Sequence, residues 1–362
     1  MTMTHSILGG MAAQRARILA PVLEVPPGAI DLSGEFPSSS TSPTLRESAI
    51  DAVEHHLCDH YTRRPGIAPL CRAVASSLTA AGAPIDENLV TICGGVAEAR
   101  YVAVRALAAG QDVYLPLPAP AVYQAGLDFA GARVKTFDAQ GTLPDAQGGL
   151  LIVSNPNPVT GQVVAVEVLE RLAAWAAGAN LAVIADESVG PVRPDAPFVR
   201  FAALPGMAER TLTIGSFAEA PGLGAWHVSW IAGAKRVFTP VRDLKQSITI
   251  CTAAASQYAA LAAATEVDEG EIAAEYAERQ EAILSLLDRH GIPYLAPDTV
   301  AFVVAQVADS RAVTIAGRGT GVLVGDGAQL GNPGTIRIAV PSGSLADALE
   351  ALDVALHDAK GQ

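Results

Sequence analysis

Short apolar runs alternate with stretches of helical period through the middle of the chain. The runs lie at residues 89–92, 112–115, 133–137, 149–154, 181–185, 211–214 and 228–232. Amphipathic patterns with helical spacing, such as those of residues 97–108 and 166–177, separate several of them. Apolar strands that alternate with helices predict a mainly parallel sheet that is covered by helices on both faces. The predicted fold class is therefore α/β.

The C-terminal part of the chain follows a different order. Its patterns are a long amphipathic helix at 266–290, apolar runs at 301–307, 322–324 and 335–340, and a closing helix at 345–359. This order is typical of a smaller α+β domain. We expect a large domain over residues 45–265 and a small domain formed by residues 1–44 together with residues 266–362.

Three further segments bear on organisation and location. Residues 20–43 are rich in proline and show no sustained period, so we expect them to run across the surface between the domains. The uncharged stretch 246–265 predicts a buried, alanine-rich helix, because its Gln, Ser and Thr residues make it too polar for a membrane span. Residues 1–13 lack the pattern of an export signal, which favours a cytoplasmic protein.

Composition indicates a folded protein with a large core. Half of the residues are apolar and 17% are charged, which argues against a disordered chain. The formal net charge of −13 argues against nucleic acid or an anionic membrane as a partner. The four cysteines form no CxxC pair, so we expect reduced thiols and no metal site. His55, His56 and His60 near Cys58 follow a helical pattern that favours a solvated helix face over a set of metal ligands.

Six segments of the chain resemble aminotransferases of class I and II, in the order and at the spacing of that family. The segments are HYTRRPGI (60–67), TICGGVAEA (91–99), SNPNPVTG (154–161), IADE (184–187), GSFAE with the later Pro221, Gly222 and Trp230 (215–230), and TIRI (335–338). The resemblance covers nearly the whole chain. It implies the fold of pyridoxal-phosphate-dependent enzymes of fold type I, with a mainly parallel, seven-stranded sheet between layers of helices and a smaller α+β domain.

The resemblance also implies where a cofactor and a substrate would bind. Phosphate would be held by the backbone N–H groups of Gly95, Val96 and Ala97 at a helix N-terminus. The hydroxyl groups of Ser216 and Tyr61 would also bind it. Asp186 matches the aspartate that pairs with the protonated pyridine ring. Arg337 and Asn155 would bind the small-molecule substrate, the arginine through a carboxylate. Since Tyr61 serves the neighbouring subunit in this family, a homodimer is expected.

The chain departs from the family at positions that carry its chemistry. Glu219 stands where the family keeps the lysine of the Schiff base, and a carboxylate cannot form an imine. His227 stands at the phosphate-binding arginine. Three other family side chains are replaced: the asparagine at the cofactor's phenolic oxygen by Pro158, a tyrosine by Val189, and the stacking aromatic by Pro120. Ordinary transamination and a covalently held cofactor are therefore not expected.

The first interpretation is an enzyme of the aminotransferase fold that acts on a small amino or keto acid without lysine-bound pyridoxal phosphate. Glu219 would be its general acid or base, beside Asp186 and His227. A buried carboxylate next to another carboxylate has a raised pKa, which suits proton transfer near neutral pH. Arg337 would hold the substrate's carboxylate.

Two alternatives remain open. In one, pyridoxal phosphate or pyridoxamine phosphate binds without a covalent bond, through Ser216, Gly95 and Asp186. In the other, the chain is a catalytically inactive partner or regulatory subunit of a lysine-bearing relative. Simpler interpretations also stand at single positions: Arg337 as a structural ion-pair partner, His227 as a packed core histidine, and Glu219 as a residue without a selected role.

Overall fold

A computed structural model of the protein describes residues 28–35, 41–217, 222–341 and 343–359. Glu219, the residue at the expected lysine position, lies outside the described residues.

A seven-stranded sheet forms the centre of the larger part of the chain. Its strands are β2 (Val90–Cys93), β3 (Asp112–Pro116), β4 (Arg133–Phe137), β5 (Leu150–Ser154), β6 (Ala182–Asp186), β7 (Thr211–Ser216) and β8 (Ser229–Gly233), in the spatial order β2-β8-β7-β6-β5-β3-β4. Strands β4, β3, β5, β6 and β7 are parallel, while β8 is antiparallel to both β7 and β2. The predicted α/β class and the mainly parallel seven-stranded sheet are confirmed.

Helices cover both faces of this sheet. They are α1 (Pro43–Glu54), α2 (Ala68–Ala80), α3 (Val96–Leu107), α4 (Gln124–Ala130), α5 (Val166–Gly178), α6 (Lys235–Ile248) and α7 (Ala254–Glu266). Helices α3 and α6 pack with Ile184 and Ile214 on one face, whereas α5 packs with Val183 and Ala185 on the other. Odd and even residues of a strand thus face different helix layers, as the two-residue period of a strand requires.

The carboxyl ends of several strands meet at one edge of the sheet, and this edge positions the candidate site. Ser154, at the end of β5, lies in register with Asp186 at the end of β6. Ser216, at the end of β7, is paired with Ser229, which in turn is paired with Cys93 at the end of β2. In open α/β sheets, ligands bind outside this edge.

A second sheet with its own helices forms the smaller part. Its strands are β1 (Ile30–Leu32), β9 (Tyr294–Leu295), β10 (Phe302–Gln306), β11 (Val322–Asp326) and β12 (Thr335–Ala339), in the spatial order β1-β11-β12-β10-β9. Its helices are α8 (Glu269–Arg289), α9 (Ser310–Thr320), the short α10 (Gly327–Leu330) and α11 (Leu345–Asp358). Because β1 pairs with β11, residues near the start of the described chain join this sheet. The bounds of the two domains stay a prediction.

One predicted element is divided in two. The expected helix over 246–265 is interrupted, since α6 ends at Ile248, Thr249 is extended, and α7 begins only at Ala254. Ile248, Thr249 and Ile250 are β-branched residues, which lose side-chain freedom in a helix. No helix in the described part of the chain is long and apolar enough to cross a membrane.

Candidate active site

Asp186 forms the centre of a buried cluster at the end of β6. Its side chain is 1% exposed. Its Oδ2 atom accepts hydrogen bonds from Arg100 Nε at 2.7 Å and from the Tyr123 hydroxyl at 2.5 Å. Its Oδ1 atom accepts from the Ser188 hydroxyl at 2.6 Å and from the Ser188 N–H at 3.2 Å. Both carboxylate oxygens are therefore fully engaged by the chain itself.

The electrostatics of this cluster keep Asp186 ionised. Burial, the largest single effect, would raise the pKa of Asp186, but the positive charge of Arg100 and the hydrogen bonds to the carboxylate together outweigh it, so the pKa lies below its usual range. Burial and the charge of Asp186 raise the pKa of Tyr123 well above its usual value, so its hydroxyl remains a donor. The cluster therefore favours the ionised form of Asp186, paired with Arg100.

Local packing explains how Arg100 reaches the strand end. Ala99 and Ala103 are fully buried on α3, and these small side chains let the helix lie close to the sheet. Arg100 is 7% exposed, and its guanidinium lies 5.9 Å from the centre of the Tyr123 ring. Tyr123 closes a short 3₁₀ turn, Ala121–Tyr123, that begins after Pro120. Pro120 stands at the position expected for a stacking aromatic, and Tyr123, three residues later, donates a hydrogen bond to Asp186.

Glu35 extends the cluster toward the second sheet. Its Oε2 atom lies 3.3 Å from Arg100 Nη1, and its Oε1 atom lies 3.8 Å from Arg337 Nη1. The side chain of Glu35 is 14% exposed. Two carboxylates and two guanidinium groups therefore alternate from Asp186 through Arg100 and Glu35 to Arg337, and their formal charges cancel.

Arg337 lies in the middle of β12 and is 6% exposed. Its Nη2 atom donates to the Ser33 carbonyl at 2.9 Å, and its Nη1 atom makes a long contact of 3.5 Å with the Pro158 carbonyl. Its guanidinium stands 5.4 Å from the centre of the Phe302 ring. Its Nε atom is buried and has no hydrogen-bond partner among the described residues. Burial lowers the pKa of Arg337. The Nε–H group of Arg337 thus remains available as a donor among the described residues.

The glycine-rich turn lies between β2 and α3. Gly95 has a φ of +86°, and a side chain at this position would come within 3.2 Å of His227 Nδ1. The Gly94 N–H donates to the carboxylate of Glu98, whose other oxygen accepts from the Thr249 hydroxyl. The first N–H groups of α3, at Val96 and Ala97, have no partner within the helix by its geometry. The structure therefore brings exposed His227 against the predicted phosphate cradle.

The other predicted site residues differ in burial. Ser216 is buried at the end of β7. Asn155 is 1% exposed, donates to the Val199 carbonyl at 3.1 Å and accepts from the Val164 N–H at 2.9 Å. Tyr61 is 81% exposed. Asn155 thus supports the surrounding loops, and the described contacts do not join Tyr61 to the pocket of its own chain.

Three members of the cluster were not predicted from the sequence, namely Arg100, Tyr123 and Glu35. Arg100 left a usable signal: it stands between Val96 and Val104 on the apolar stripe of a predicted helix, where a charge requires a buried partner. Glu35 and Tyr123 left no comparable signal, since their partners lie far away along the chain.

Glu187 continues the chain after Asp186 but faces the other side of the sheet. It is fully buried, accepts from Arg200 Nη1 at 2.7 Å and from the Phe201 N–H at 2.9 Å. Burial raises the pKa of Glu187 despite Arg200. A cavity of about 120 Å³ lies here, lined among others by Glu187, Arg200 and Trp230. The pKa values of the neighbouring carboxylates Asp186 and Glu187 are thus shifted in opposite directions.

Comparison with known proteins gives the family. A family model described as aminotransferase class I and II matches residues 28–354. The chain belongs to this family. Among curated relatives, the probable N-succinyldiaminopimelate aminotransferase DapC of Mycobacterium tuberculosis is 32% identical over 266 residues, covering 68% of this chain and 66% of the relative. An aspartate aminotransferase of Musicola paradisiaca is 25% identical over 302 residues, covering 76% and 74%.

Solved aminotransferase structures share the whole fold. The N-succinyldiaminopimelate aminotransferase of Mycobacterium tuberculosis superposes with a TM-score of 0.81 at 26% identity, covering 95% of this chain and 96% of that one. Thermus thermophilus aspartate aminotransferase reaches 0.80 at 22% identity, which shows the fold alone. In sequence, the chain aligns with 64% and 66% of two of its curated bacterial relatives, slightly less than two thirds of their length. Its family membership supports an enzyme.

Proposed function

We propose that the chain is an aminotransferase-family enzyme that binds a small amino or keto acid and works without lysine-bound pyridoxal phosphate. The observation that carries this proposal is the partner of Asp186. A carboxylate at this strand end needs a cation, and here Arg100 supplies it at 2.7 Å. The family ordinarily depends on pyridoxal phosphate, whose protonated ring would need a free carboxylate oxygen of Asp186.

The residues around Asp186 do not fit a protonated pyridine ring. Four hydrogen bonds already reach its two oxygens, and the carboxylate is buried. A ring N–H would have to displace Arg100, which would leave a guanidinium buried without its partner, at a cost of several kcal/mol. Together with Glu219 at the lysine position, this disagreement favours chemistry without the cofactor, covalent or not.

Within this proposal each predicted residue takes a defined part. Glu219 follows the end of β7 in sequence and is the proposed general acid or base. Asp186 is held ionised by Arg100, so it positions groups rather than exchanging protons. His227, at the glycine-rich turn, is the second candidate for proton transfer. Arg337, whose Nε atom has no hydrogen-bond partner within the described part of the chain, is the proposed anchor for a substrate carboxylate.

Spectroscopy and two variants test this function. The purified protein should show no visible absorbance of an internal aldimine, and borohydride should fix no pyridoxyl group to it. In a melting screen of amino and keto acids, a stabilising acid should lose its effect in Arg337→Ala. Glu219→Gln should keep the fold and the binding while it lowers turnover about 10²–10⁴-fold. A yellow protein with a reducible pyridoxyl-lysine would overturn the proposal.

A second candidate function is a regulatory or partner subunit without catalysis. Two observations favour it: the charges of the pocket cancel without a ligand, and Tyr61 is 81% exposed, free to serve another chain. Co-expression with a lysine-bearing family member separates the two proposals. A stable heterodimer in which Tyr61→Ala lowers the partner's activity would support the subunit; an active homomer would support the enzyme. A cytoplasmic location stays a prediction.

A further inference from the structure

Glu35 stands between two buried guanidinium groups that come from different sheets. Arg100 lies on α3, which packs on the large sheet, and Arg337 lies on β12 of the small one. Glu35 follows β1, the edge strand of the small sheet. Its two oxygens are divided between the two arginines, at 3.3 Å and 3.8 Å.

The contacts of Glu35 neutralise charge without satisfying the donors of Arg337. A charge-assisted hydrogen bond between a guanidinium and a carboxylate usually spans about 2.7–2.9 Å, as the 2.7 Å contact of Arg100 with Asp186 does. The Glu35–Arg337 distance of 3.8 Å is too long for a hydrogen bond. The Nε atom of Arg337 is also buried without a partner among the described residues. A free carboxylate could approach Arg337 in a bidentate geometry that the tethered Glu35 does not reach.

We propose that Glu35 is an internal competitor for a carboxylate subsite formed by Arg337 and Arg100. A ligand carboxylate binds Arg337 only when Glu35 leaves the space between the two guanidinium groups. Arg100 keeps its charge partner Asp186 in either state, so one ligand carboxylate restores neutrality. The closed state lowers the apparent affinity for carboxylates in proportion to its population. Glu35 thus sets how tightly a carboxylate binds at Arg337, whether or not Glu219 transfers a proton.

Succinate tests this competition, because it carries carboxylates but no amino group. Its dissociation constant would be measured by calorimetry for the full-length protein, for Glu35→Gln and for Glu47→Gln, with sodium chloride at equal ionic strength as the blank. Glu47 is an exposed carboxylate on α1 and serves as the matched control. If the open state is populated to about 10% or less, Glu35→Gln should bind succinate at least about tenfold more tightly. Glu47→Gln should match the parent protein.

A double variant and a shorter side chain complete the test. Glu35→Gln with Arg337→Ala should lose the gain, because the guanidinium that receives the carboxylate is gone. Glu35→Asp keeps the charge but cannot reach both arginines, so it should bind succinate with an affinity between the parent and Glu35→Gln, and it serves if Glu35→Gln fails to fold. Equal affinity in the parent and in the Glu35 variants would overturn the proposal, as would tight binding that survives the loss of Arg337. Since only binding is measured, loss of turnover in Glu219→Gln would not affect either outcome.

Discussion

Asp186 and Glu187 are adjacent carboxylates with opposite pKa shifts, because they point to opposite faces of the sheet. Asp186 meets the guanidinium of Arg100 and two hydroxyl donors, and its pKa is lowered. Glu187 is fully buried on the other face, and the loss of solvent raises its pKa even though Arg200 is near. One step along the chain therefore reverses how protonation affects folding.

The pH dependence of stability should differ in sign for these two residues. A lowered folded-state pKa means that the contribution of Asp186 is complete above its unfolded-state pKa of about 3.9 and is lost as pH falls through the folded value. A raised folded-state pKa means that the contribution of Glu187 is complete below about 4.3 and is lost as pH rises through the folded value.

Urea denaturation of Asp186→Asn and Glu187→Gln at a series of pH values measures this difference. As pH rises through the titration of Asp186, the free energy of unfolding of the parent should grow relative to that of Asp186→Asn. As pH rises through the titration of Glu187, the free energy of unfolding of the parent should fall relative to that of Glu187→Gln. Two advantages that change in the same direction would contradict the assigned causes.

Arg100→Leu should destabilise the protein by about 3–5 kcal/mol, because it leaves Asp186 buried without its cation. Guanidinium ion at low millimolar concentration should then raise the melting temperature of the variant but not of the parent. The control is Arg105→Leu on the same helix, whose side chain makes an exposed hydrogen bond to the Phe129 carbonyl. Equal losses of unfolding free energy in both variants would mean that the buried ion pair stabilises the protein no more than the exposed contact of Arg105 does.

Sequence reasoning located Asp186 and Arg337 but not the residues between them. The two were found because the family resemblance marks the strand ends on which they lie. Arg100 and Asp186 are 86 positions apart. No local pattern says which helix face meets which strand end. The charge of Arg100 on an apolar helix stripe indicated that it needs a buried partner, but the expected pyridine ring already supplied a cation for Asp186, so the two residues were not paired from the sequence.

At the scale of the element, helix α6 contains a buried lysine. Lys245 lies in the last turn of the helix and is fully buried. Its ammonium group makes a long hydrogen bond of 3.5 Å to the Thr252 hydroxyl, and no carboxylate of the described residues lies within ion-pair distance. A buried charge without a counter-ion opposes folding. The cost is offset elsewhere in the helix, where Val237, Phe238 and Val241 pack into the core.

Lys245→Met should therefore raise the free energy of unfolding by about 1–3 kcal/mol, since it keeps the volume and removes an unpaired buried charge. Lys235→Met, at the exposed start of the same helix, should change it by about 0.5 kcal/mol or less. Chemical denaturation of both variants measures the difference. A clear loss of stability in Lys245→Met would show instead that the ammonium group has an anionic partner in solution.

The elements themselves were largely predictable, with a specific exception. Strand and helix periods are local signals, so β2 to β8 were anticipated within a few residues. The break between α6 and α7 was not, because the alanine content around it outweighed the short β-branched run from Ile248 to Ile250. Tertiary contacts accompany the break: the Thr252 hydroxyl donates to the Ile92 carbonyl, and the Thr252 carbonyl accepts from the Gln257 side chain.

At the scale of the whole molecule, several large apolar side chains remain exposed in the single chain. They are Leu57, Tyr61, Ile248 and Ile250, with exposures of 47%, 81%, 54% and 49%. We expect the protein to be a homodimer by light scattering at micromolar concentration. Tyr61→Arg with Ile250→Arg should shift it toward the monomer, because charges are disfavoured in the core of an interface. A monomeric parent protein would remove the basis for a role of Tyr61 at a neighbouring site.

The pairing of Asp186 with Arg100 has a consequence for the stability of the folded chain if the proposed function holds. A protein whose folded state depends on a bound cofactor gains stability with the supply of that cofactor. Here Arg100 provides the positive charge beside Asp186, so under the proposed function the stability of the folded protein should not depend on the supply of vitamin B6. The yield of folded protein should be the same in cells starved of vitamin B6 as in cells that receive it, whereas family members that rely on the vitamin should decline.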